Sequence, residues 1–130
     1  MTMGLSTALR NAKLDAITTY AGNACKLRIY TATRPATGGT ATTLLSEHTL
    51  GTPFAGAASS GVLTLNLPSN VTASATGTAA WARIVRSDGT THVLDMSVGT
   101  SGTDLILGTV SIASGNTIAI TAATITDGEP

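Results

Sequence analysis

Charged side chains are scarce in this sequence. Lysine, arginine, aspartate and glutamate make up 11% of its 130 residues, and seven basic side chains balance seven acidic ones. Nucleic-acid binding needs clustered lysine and arginine to replace the counterions of the phosphates, and the basic residues here are few and scattered. We therefore expect no nucleic-acid partner.

A neutral, weakly charged surface has little protection against self-association, which favours a surface covered by partners. A threonine- and alanine-rich protein without such partners is the other interpretation.

Cysteine and long apolar runs are also scarce. The single Cys25 excludes an internal disulfide framework and a cysteine-based zinc site, and its position at the start of a strand favours a buried role. No apolar stretch approaches the length needed to cross a bilayer, so we expect no membrane partner. Residues 1–15 lack the regions of a secretory signal. We expect a protein that is made in a cytosol-like compartment and stays there until assembly.

Aromatic residues are few, with one tryptophan, two tyrosines and one phenylalanine. Trp81, Tyr30 and Phe54 could form a contact surface, because aromatic anchors dominate interface energetics. A modest core would use the same residues, so both roles are open for them. Strand alternation places Tyr30 on the outer face of its strand.

A hairpin between Trp81 and Val98 is the clearest element that is present. Two runs of strand-forming residues flank Asp88 and Gly89, a pair that tolerates the positive φ angles of a type I′ turn. A two-residue loop there places Val85 opposite His92, Arg83 opposite Leu94 and Trp81 opposite Met96. Neither face of this ribbon is purely polar, which predicts that both faces contact protein. Asp95 is expected to form an ion pair with Arg83 or Arg86 across the hairpin.

The stretch from Leu5 to Tyr20 predicts the one helix of the chain. Ser6 or Thr7 could cap its first turn, and a glycine-containing stop follows at residues 21–23. An alanine-rich stripe at helical spacing predicts the face that packs on a sheet or on a neighbouring subunit. The stripe consists of Leu5, Leu9, Ala12, Ala16, Ile17 and Tyr20.

The rest of the chain alternates short apolar strands with turn residues every 8–12 positions, which is typical of an antiparallel β-sandwich or barrel. We predict a single mainly β domain over residues 1–130. It comprises an N-terminal helix or arm over 1–22, a β-sandwich over 25–126 and a polar tail over 127–130. A loop pinned by Phe54 is predicted for residues 51–61. The best core candidates are Leu27, Ile29, Leu63, Leu65, Ile84, Val93, Ile118 and Ile120.

No catalytic, cofactor or metal constellation is predicted. The two histidines, His48 and His92, fall on different predicted strands, and a metal site would need both together with a carboxylate. Asp88, Asp95 and Asp104 lack the dense oxygen spacing of a calcium loop. No G-x-S-x-G elbow occurs. We therefore expect a protein without enzymatic activity, without a cofactor and without a metal.

Several stretches resemble a family of small structural proteins from tailed bacteriophages and prophages. Members share a short N-terminal helix, a strand reading LRIYTG.QP, a tryptophan-containing hairpin around Ser-Asp-Gly, an SVGTSG.DL turn and an alternating last strand. These features match residues 27–35, 81–89, 97–105 and 117–126. Ala82 departs from relatives that carry a second aromatic residue after the tryptophan. The matching stretches are KLRIYTATRPATGGTATTLL, AWARIVRSDGTTHVLDMSVGTSGTDLIL and VSIASGNTIAITAATIT.

The resemblance implies a virion component, most simply a capsid decoration or cement protein on the capsid exterior. Its partner would be the major capsid protein, and self-association into a trimer or another ring would suit capsid symmetry axes. A tail-associated β module, at the baseplate, tail tip or fibre, is the alternative, followed by a carbohydrate-binding adhesion domain. The candidate interface residues are Leu5, Leu9, Tyr20, Tyr30, Phe54, Trp81 and Arg83.

Overall fold

A computed structural model describes residues 4–51 and 54–126 of the chain; the polar tail predicted for 127–130 lies outside the described residues. The chain forms one helix, α1, followed by ten strands, and the predicted mainly β architecture with a short N-terminal helix is confirmed. In chain order these elements are α1 (Thr7–Ala21), β1 (Lys26–Thr31), β2 (Leu44–Thr49), β3 (Val62–Thr64), β4 (Val71–Thr72), β5 (Gly77–Val85), β6 (His92–Gly99), β7 (Leu105–Leu107), β8 (Ser111–Ile112), β9 (Thr117–Ile118) and β10 (Ile120–Thr126).

The strands form a curled, half-barrel sheet in the order β2-β1-β5-β6-β7-β10-β3, and β8 pairs with the start of β5. A small second sheet joins β4 to β9. All pairs in the main sheet are antiparallel except β6 and β7, which run parallel after a connection of only five residues, 100–104. The carboxylate of Asp104 braces this short connection, because it accepts hydrogen bonds from the Ser97 amide (3.2 Å) and the Ser97 hydroxyl (3.1 Å).

Both outer strands of the main sheet are flanked by further segments. On the outer side of β2, the Leu45 carbonyl accepts a hydrogen bond from the Ser74 amide at 2.8 Å. At the other end of the sheet, Val62 of β3 pairs with Thr126 of β10 on one side and forms an isolated β-bridge with Ser59 on the other. Residues 54–66 therefore form an irregular hairpin held by two isolated bridges. The loop predicted for 51–61 contains no regular strand over the part that is described, and Phe54 is buried as predicted, but the loop is paired back onto residues 62–65. Ser60 and Gly61, at its tip, both have positive φ, as a tight hairpin turn requires.

The hairpin of β5 and β6 forms, but its predicted register holds only next to the turn. Val85 pairs with His92 as predicted, and a bulge between Ile84 and Val85 then shifts the register by one residue. Arg83 therefore lies opposite Asp95 instead of Leu94, and Trp81 opposite Ser97 instead of Met96. The predicted type I′ turn is also wrong, since only Gly89 of the central pair has positive φ.

Asp88 stabilises this turn in another way. Its carboxylate accepts hydrogen bonds at 2.9 Å from the amides of both Thr90 and Thr91. The hydroxyl and amide of Thr91 and the amide of Thr90 together hold the pKa of Asp88 far below its usual range. The carboxylate thus accepts hydrogen bonds from the Thr90 and Thr91 amides. In a tighter turn, such amides would pair with carbonyl groups of the opposite strand.

The core lies between the concave face of the sheet and the segments packed against it. Seven of the eight predicted core residues are buried, and the exception, Val93, is only partly buried against the core. The bulge explains this difference, because Val93 is the extra residue of β6 that has no partner in β5. The seven are Leu27, Ile29, Leu63, Leu65, Ile84, Ile118 and Ile120.

Candidate interaction surface

Two of the predicted interface residues stack on neighbouring strands. Tyr30 of β1 pairs with Trp81 of β5, and their ring centroids lie 4.5 Å apart with the planes inclined by 17°. The guanidinium of Arg83 lies 5.0 Å from the centre of the Trp81 ring. Tyr30 and Trp81 are nevertheless buried, because residues 32–43 form a loop over this face of the sheet. Strand alternation does not predict a loop that covers the outer face of a strand.

The loop over residues 32–43 is attached to the sheet by polar contacts. The Trp81 Nε1–H donates to Thr42 Oγ1 at 2.9 Å, and the Thr42 hydroxyl in turn donates to the Thr31 carbonyl. The Gly38 amide donates to Asp95 Oδ2 at 3.1 Å, while Arg83 Nη2 donates to the Gly39 carbonyl at 2.8 Å. One loop is therefore bound by side chains of both β5 and β6.

The predicted ion pair across the hairpin is confirmed for Arg83. Arg83 Nε donates to Asp95 Oδ1 at 2.7 Å and Nη2 to Oδ2 at 3.2 Å, so the pair is bidentate. His92 Nε2 lies 3.0 Å from the same Oδ1, and the Asp95 side chain is 1% exposed. Burial alone would raise the pKa of Asp95, but the hydrogen bonds from Arg83, the Gly38 amide and His92 outweigh it and lower that pKa.

Phe54 lies in the core with 0% exposure. Together with Tyr30 and Trp81, it is enclosed within the described fold. Arg83 is partly buried and bound to Asp95. The structure thus brings Tyr30, Trp81 and Arg83 together beneath the loop, where they join segments of one chain. The remaining candidates, Leu5, Leu9 and Tyr20, lie apart from them on or next to α1.

Helix α1 begins as predicted, since Ser6 Oγ accepts a hydrogen bond from the Leu9 amide at 3.1 Å. The predicted stripe does not form the face that packs on the sheet, except for Ile17, which packs against the core. Leu14 and Ala21 are the buried residues of the helix, while Leu9 is 47% exposed and Tyr20 is 52% exposed. Contact of the stripe with a neighbouring subunit stays a prediction. The following residues share the outward side and are all exposed; we call them the outer helix face: Leu9, Ala12, Lys13, Ala16 and Tyr20.

Two polar side chains explain the orientation of α1. Asn11 Oδ1 accepts a hydrogen bond from the Gly61 amide at 2.9 Å, and Asp15 Oδ1 accepts one from the Ala58 amide at 2.8 Å. These residues are four positions apart, so they lie on one side of the helix, where both bind amides of the hairpin at 54–66. The helix is thus anchored by these two polar contacts together with the buried Leu14 and Ala21, while Leu9 and Tyr20 face solvent.

The outer helix face continues into a neighbouring groove. The groove has a volume of about 270 Å³. It is lined by the apolar residues Ile17, Leu94, Met96 and Ile125 and by the polar residues Asp95, Asp104 and Thr126. Ile17 is three residues before Tyr20, so it lies beside it on the helix surface. The Arg86 guanidinium lies 5.5 Å from the centre of the Tyr20 ring, which places a positive charge at the end of this apolar surface.

His48 and His92 lie on separate strands, β2 and β6. Among residues 4–51 and 54–126, no group of three or more histidine, cysteine, aspartate or glutamate side chains is placed to hold a metal ion. Cys25 is buried, and burial raises the pKa of its thiol.

His48 is 1% exposed; its Nδ1 lies 3.3 Å from the Ser69 carbonyl and its Nε2 lies 3.1 Å from Ser46 Oγ. Because the carbonyl only accepts, Nδ1 carries the proton and Nε2 accepts from the serine hydroxyl.

We expect the stability of the protein to fall as the pH drops below the ordinary histidine pKa of 6.5. Burial lowers the pKa of His48 below that value, against the raising effect of its bond to Ser69. The unfolded chain therefore binds a proton that the folded chain does not, and the free energy of unfolding decreases with falling pH. Urea unfolding at pH 7.5 and pH 5.5 measures this slope. His48→Asn keeps a donor toward Ser69 and should flatten the slope, and an unchanged slope would contradict the assignment.

A scan against protein-family models, a search of curated proteins and a search of solved structures each find no match for this chain. Within the described part of the chain, no helix combines the length and the apolar character that a membrane crossing requires.

Sequence reasoning did not identify Asn11 and Asp15 as the residues that anchor α1. Their signal was the i, i+4 spacing of two hydrogen-bonding side chains opposite Leu9, but apolar periodicity was used to choose the packed side. The glycines that bind Arg83 and Asp95 also escaped prediction. Gly38 lies 57 residues before Asp95 in the chain, and no local pattern joins the two.

Proposed function

We propose that this protein is a non-enzymatic structural component of a tailed-bacteriophage virion, a decoration or cement protein that binds the outer surface of the major capsid protein shell. The resemblance of residues 27–35, 81–89, 97–105 and 117–126 to small phage structural proteins motivates the assignment. The protein is made in the host cytoplasm, joins the capsid exterior and stabilises the head.

The observation that carries the proposal is the outward orientation of α1. A helix that binds the hairpin through Asn11 and Asp15 and buries Leu14 and Ala21, while exposing Leu9 and Tyr20, presents apolar area to solvent. Large exposed apolar side chains that cluster on one surface are typical of a protein interface. Low charge suits such a role, because a surface that is covered in the assembled particle does not need charge to stay dispersed.

A head location also favours self-association. Capsid shells repeat one set of contacts around rotation axes, and closed rings such as trimers match that symmetry. Neighbouring copies on one shell would then contact each other as well as the major capsid protein.

The alternative is a tail-associated β module, which would occur in few copies at the baseplate, tail tip or fibre. A carbohydrate-binding adhesion domain is less well supported, since the stacked pair of Tyr30 and Trp81 lies under the loop formed by residues 32–43. Sugar sites usually present aromatic rings to solvent.

The stoichiometry of purified particles tests this function. Heads and tails are separated, and the protein is quantified in each fraction by mass spectrometry with isotope-labelled peptides. We expect hundreds of copies per head. A handful of copies in the tail fraction would establish the tail module instead, and absence from both fractions would refute a virion role.

A further inference from the structure

The sheet carries a small apolar cluster on the face opposite the core. Ile29 and Ala82 belong to the core. Because side chains alternate along a strand, their chain neighbours Tyr30 and Trp81 point to the other face. Tyr30 and Trp81 pair with each other and are 5% and 0% exposed. The loop of residues 32–43, and not the core, therefore keeps these two rings from solvent.

This loop covers the two rings with little apolar contact of its own. Its sequence, ATRPATGGTATT, has no leucine, isoleucine, valine, methionine or aromatic residue. Ten of its twelve residues are exposed, and Pro35 and Gly39 are only partly buried. Burial of apolar surface is the main favourable term in holding segments together. Since the loop buries so little of it, its closed position depends mostly on hydrogen bonds.

Two of these hydrogen bonds hold the middle of the loop, and both involve one ion pair. The Gly38 amide donates to Asp95, and the Gly39 carbonyl accepts from Arg83. Arg83 and Asp95 lie on β5 and β6 and bind each other directly, so their pairing does not require the loop. When the loop moves away, the two main-chain groups pair with water instead, which keeps the net cost of opening small.

Backbone strain at the start of the loop also favours opening. Ala32 has a φ of +66°, in the left-handed region that residues other than glycine rarely adopt. It follows Thr31, where the pairing of β1 with β5 shifts its register. Hinges are often a few residues at the end of an element that absorb a change in backbone angles. Ala32 is placed for that role, because it can change its angles while the strands stay paired.

We propose that residues 32–43 open as one unit, with Ala32 as a hinge, while the strands beneath them stay paired. The opening uncovers the stacked rings of Tyr30 and Trp81, so the loop controls whether solvent or another molecule can reach them. Segments with few buried apolar contacts open at a lower free energy than the whole domain. This opening is a property of the chain on its own and does not depend on the function proposed above.

A rigid cover is the alternative. The ends of the loop are tied by the bond from the Thr31 amide to the Thr43 carbonyl at 3.0 Å and by the bond from the Trp81 indole to Thr42 at 2.9 Å. If these contacts were as strong as the sheet, the loop would open only when the whole domain unfolds.

Hydrogen exchange in the unmodified protein distinguishes the two cases. The reporters are the Gly38 amide and the indole N–H of Trp81, followed by NMR at urea concentrations below the unfolding transition. Urea unfolding followed by circular dichroism gives the global stability. We expect both reporters to exchange at least about one hundred times faster than global unfolding allows, at rates that hardly change with urea, because local opening exposes little surface. Exchange that occurs only through global unfolding, with the full dependence on urea, would overturn the proposal.

A matched pair of variants, Gly38→Ala and Gly102→Ala, gives a second test. The two glycines have φ of +77° and +69°, where alanine is strained, and neither has space for a close contact of the added Cβ, whose nearest neighbour is 4.0 Å away or more. The strain at Gly38, inside the loop, is released when the loop opens. The strain at Gly102, between β6 and β7, is released only when the domain unfolds.

We expect Gly38→Ala to speed exchange of the Trp81 indole N–H by about five- to thirty-fold, the factor that left-handed strain at one residue corresponds to. Gly102→Ala should lower the global stability and leave that exchange rate unchanged. Equal acceleration in the two variants would show that the loop opens only together with the domain, and it would overturn the proposal.

Discussion

Replacing Asp95 by alanine is expected to lower the free energy of unfolding by about 3–5 kcal/mol, the usual cost of removing one partner from a buried ion pair. Asp95 is 1% exposed and Arg83 12% exposed in their side chains. The substitution leaves the Arg83 guanidinium without its bidentate partner and the Gly38 amide without its acceptor. Most of the loss thus comes from buried polar groups that remain unpaired.

Guanidinium-chloride unfolding, followed by the fluorescence of Trp81, measures the effect. Glu47→Gln is the matched control, because the Arg28–Glu47 pair has the same 2.7 Å contact but side chains that are 25% and 40% exposed. An exposed pair of this kind contributes at most about 1 kcal/mol. Similar losses for the two variants would show that burial does not distinguish the pairs. Faster hydrogen exchange at the Gly38 amide in Asp95→Ala alone would locate the effect at the loop of residues 32–43.

The same carboxylate predicts a dependence on acid. Because the folded pKa of Asp95 lies below its ordinary value of 3.8, its contribution to stability is fully present above that value. The contribution is lost as the pH falls from 3.8 through the folded pKa, where the native carboxylate takes up a proton. The stability of Asp95→Ala should change less than that of the unmodified protein over this acid range.

Replacing Trp81 by alanine is expected to cost about 3–5 kcal/mol, as for other buried aromatic residues. Trp81 is fully buried, stacks on Tyr30 and lies under Arg83. Its removal leaves a cavity between β5 and the loop of residues 32–43 and deletes the hydrogen bond to Thr42. The variant lacks tryptophan, so its unfolding is followed by far-ultraviolet circular dichroism.

Thr42→Val separates the hydrogen bond of Trp81 from its packing. Valine keeps the shape of threonine but cannot accept from the indole nitrogen, and a buried donor left unpaired costs about 1–3 kcal/mol. We expect a smaller loss than in Trp81→Ala. A loss of equal size would mean that the loop is attached chiefly through Thr42 and that the aromatic stack adds little.

Local patterns predicted the helix and the central hairpin better than they predicted strand register and helix packing. Ser6 and the glycine-containing stop marked the ends of α1, and the runs around Asp88 and Gly89 marked the central hairpin. The register failed beyond Val85, because a bulge inserts a residue without any signal in alternation. The buried side of α1 also escaped prediction, since Asn11 and Asp15 bind amides of a distant hairpin that periodicity does not reveal.

The contacts of Arg83 and Asp95 were likewise predicted only in part. The pairing of Arg83 with Asp95 follows from residue types across a hairpin, and the structure confirms it. Its burial follows from a loop that is distant in sequence, and composition gave no sign of it. The exposure of Leu9 and Tyr20 was likewise hidden, because apolar residues at helical spacing usually face a core.

The flanked outer strands limit how this protein can aggregate. A chain without net charge, at high concentration, would be prone to adding strands from one molecule to the next. The Ser74 segment beside β2 and the hairpin arm beside β3 occupy positions where such cross-molecule ladders would start. Contacts between copies are thereby directed to side chains, which make weaker and more readily reversible contacts than a continuous backbone ladder. A chain with so little charge can therefore stay dispersed through its backbone geometry instead of through repulsion.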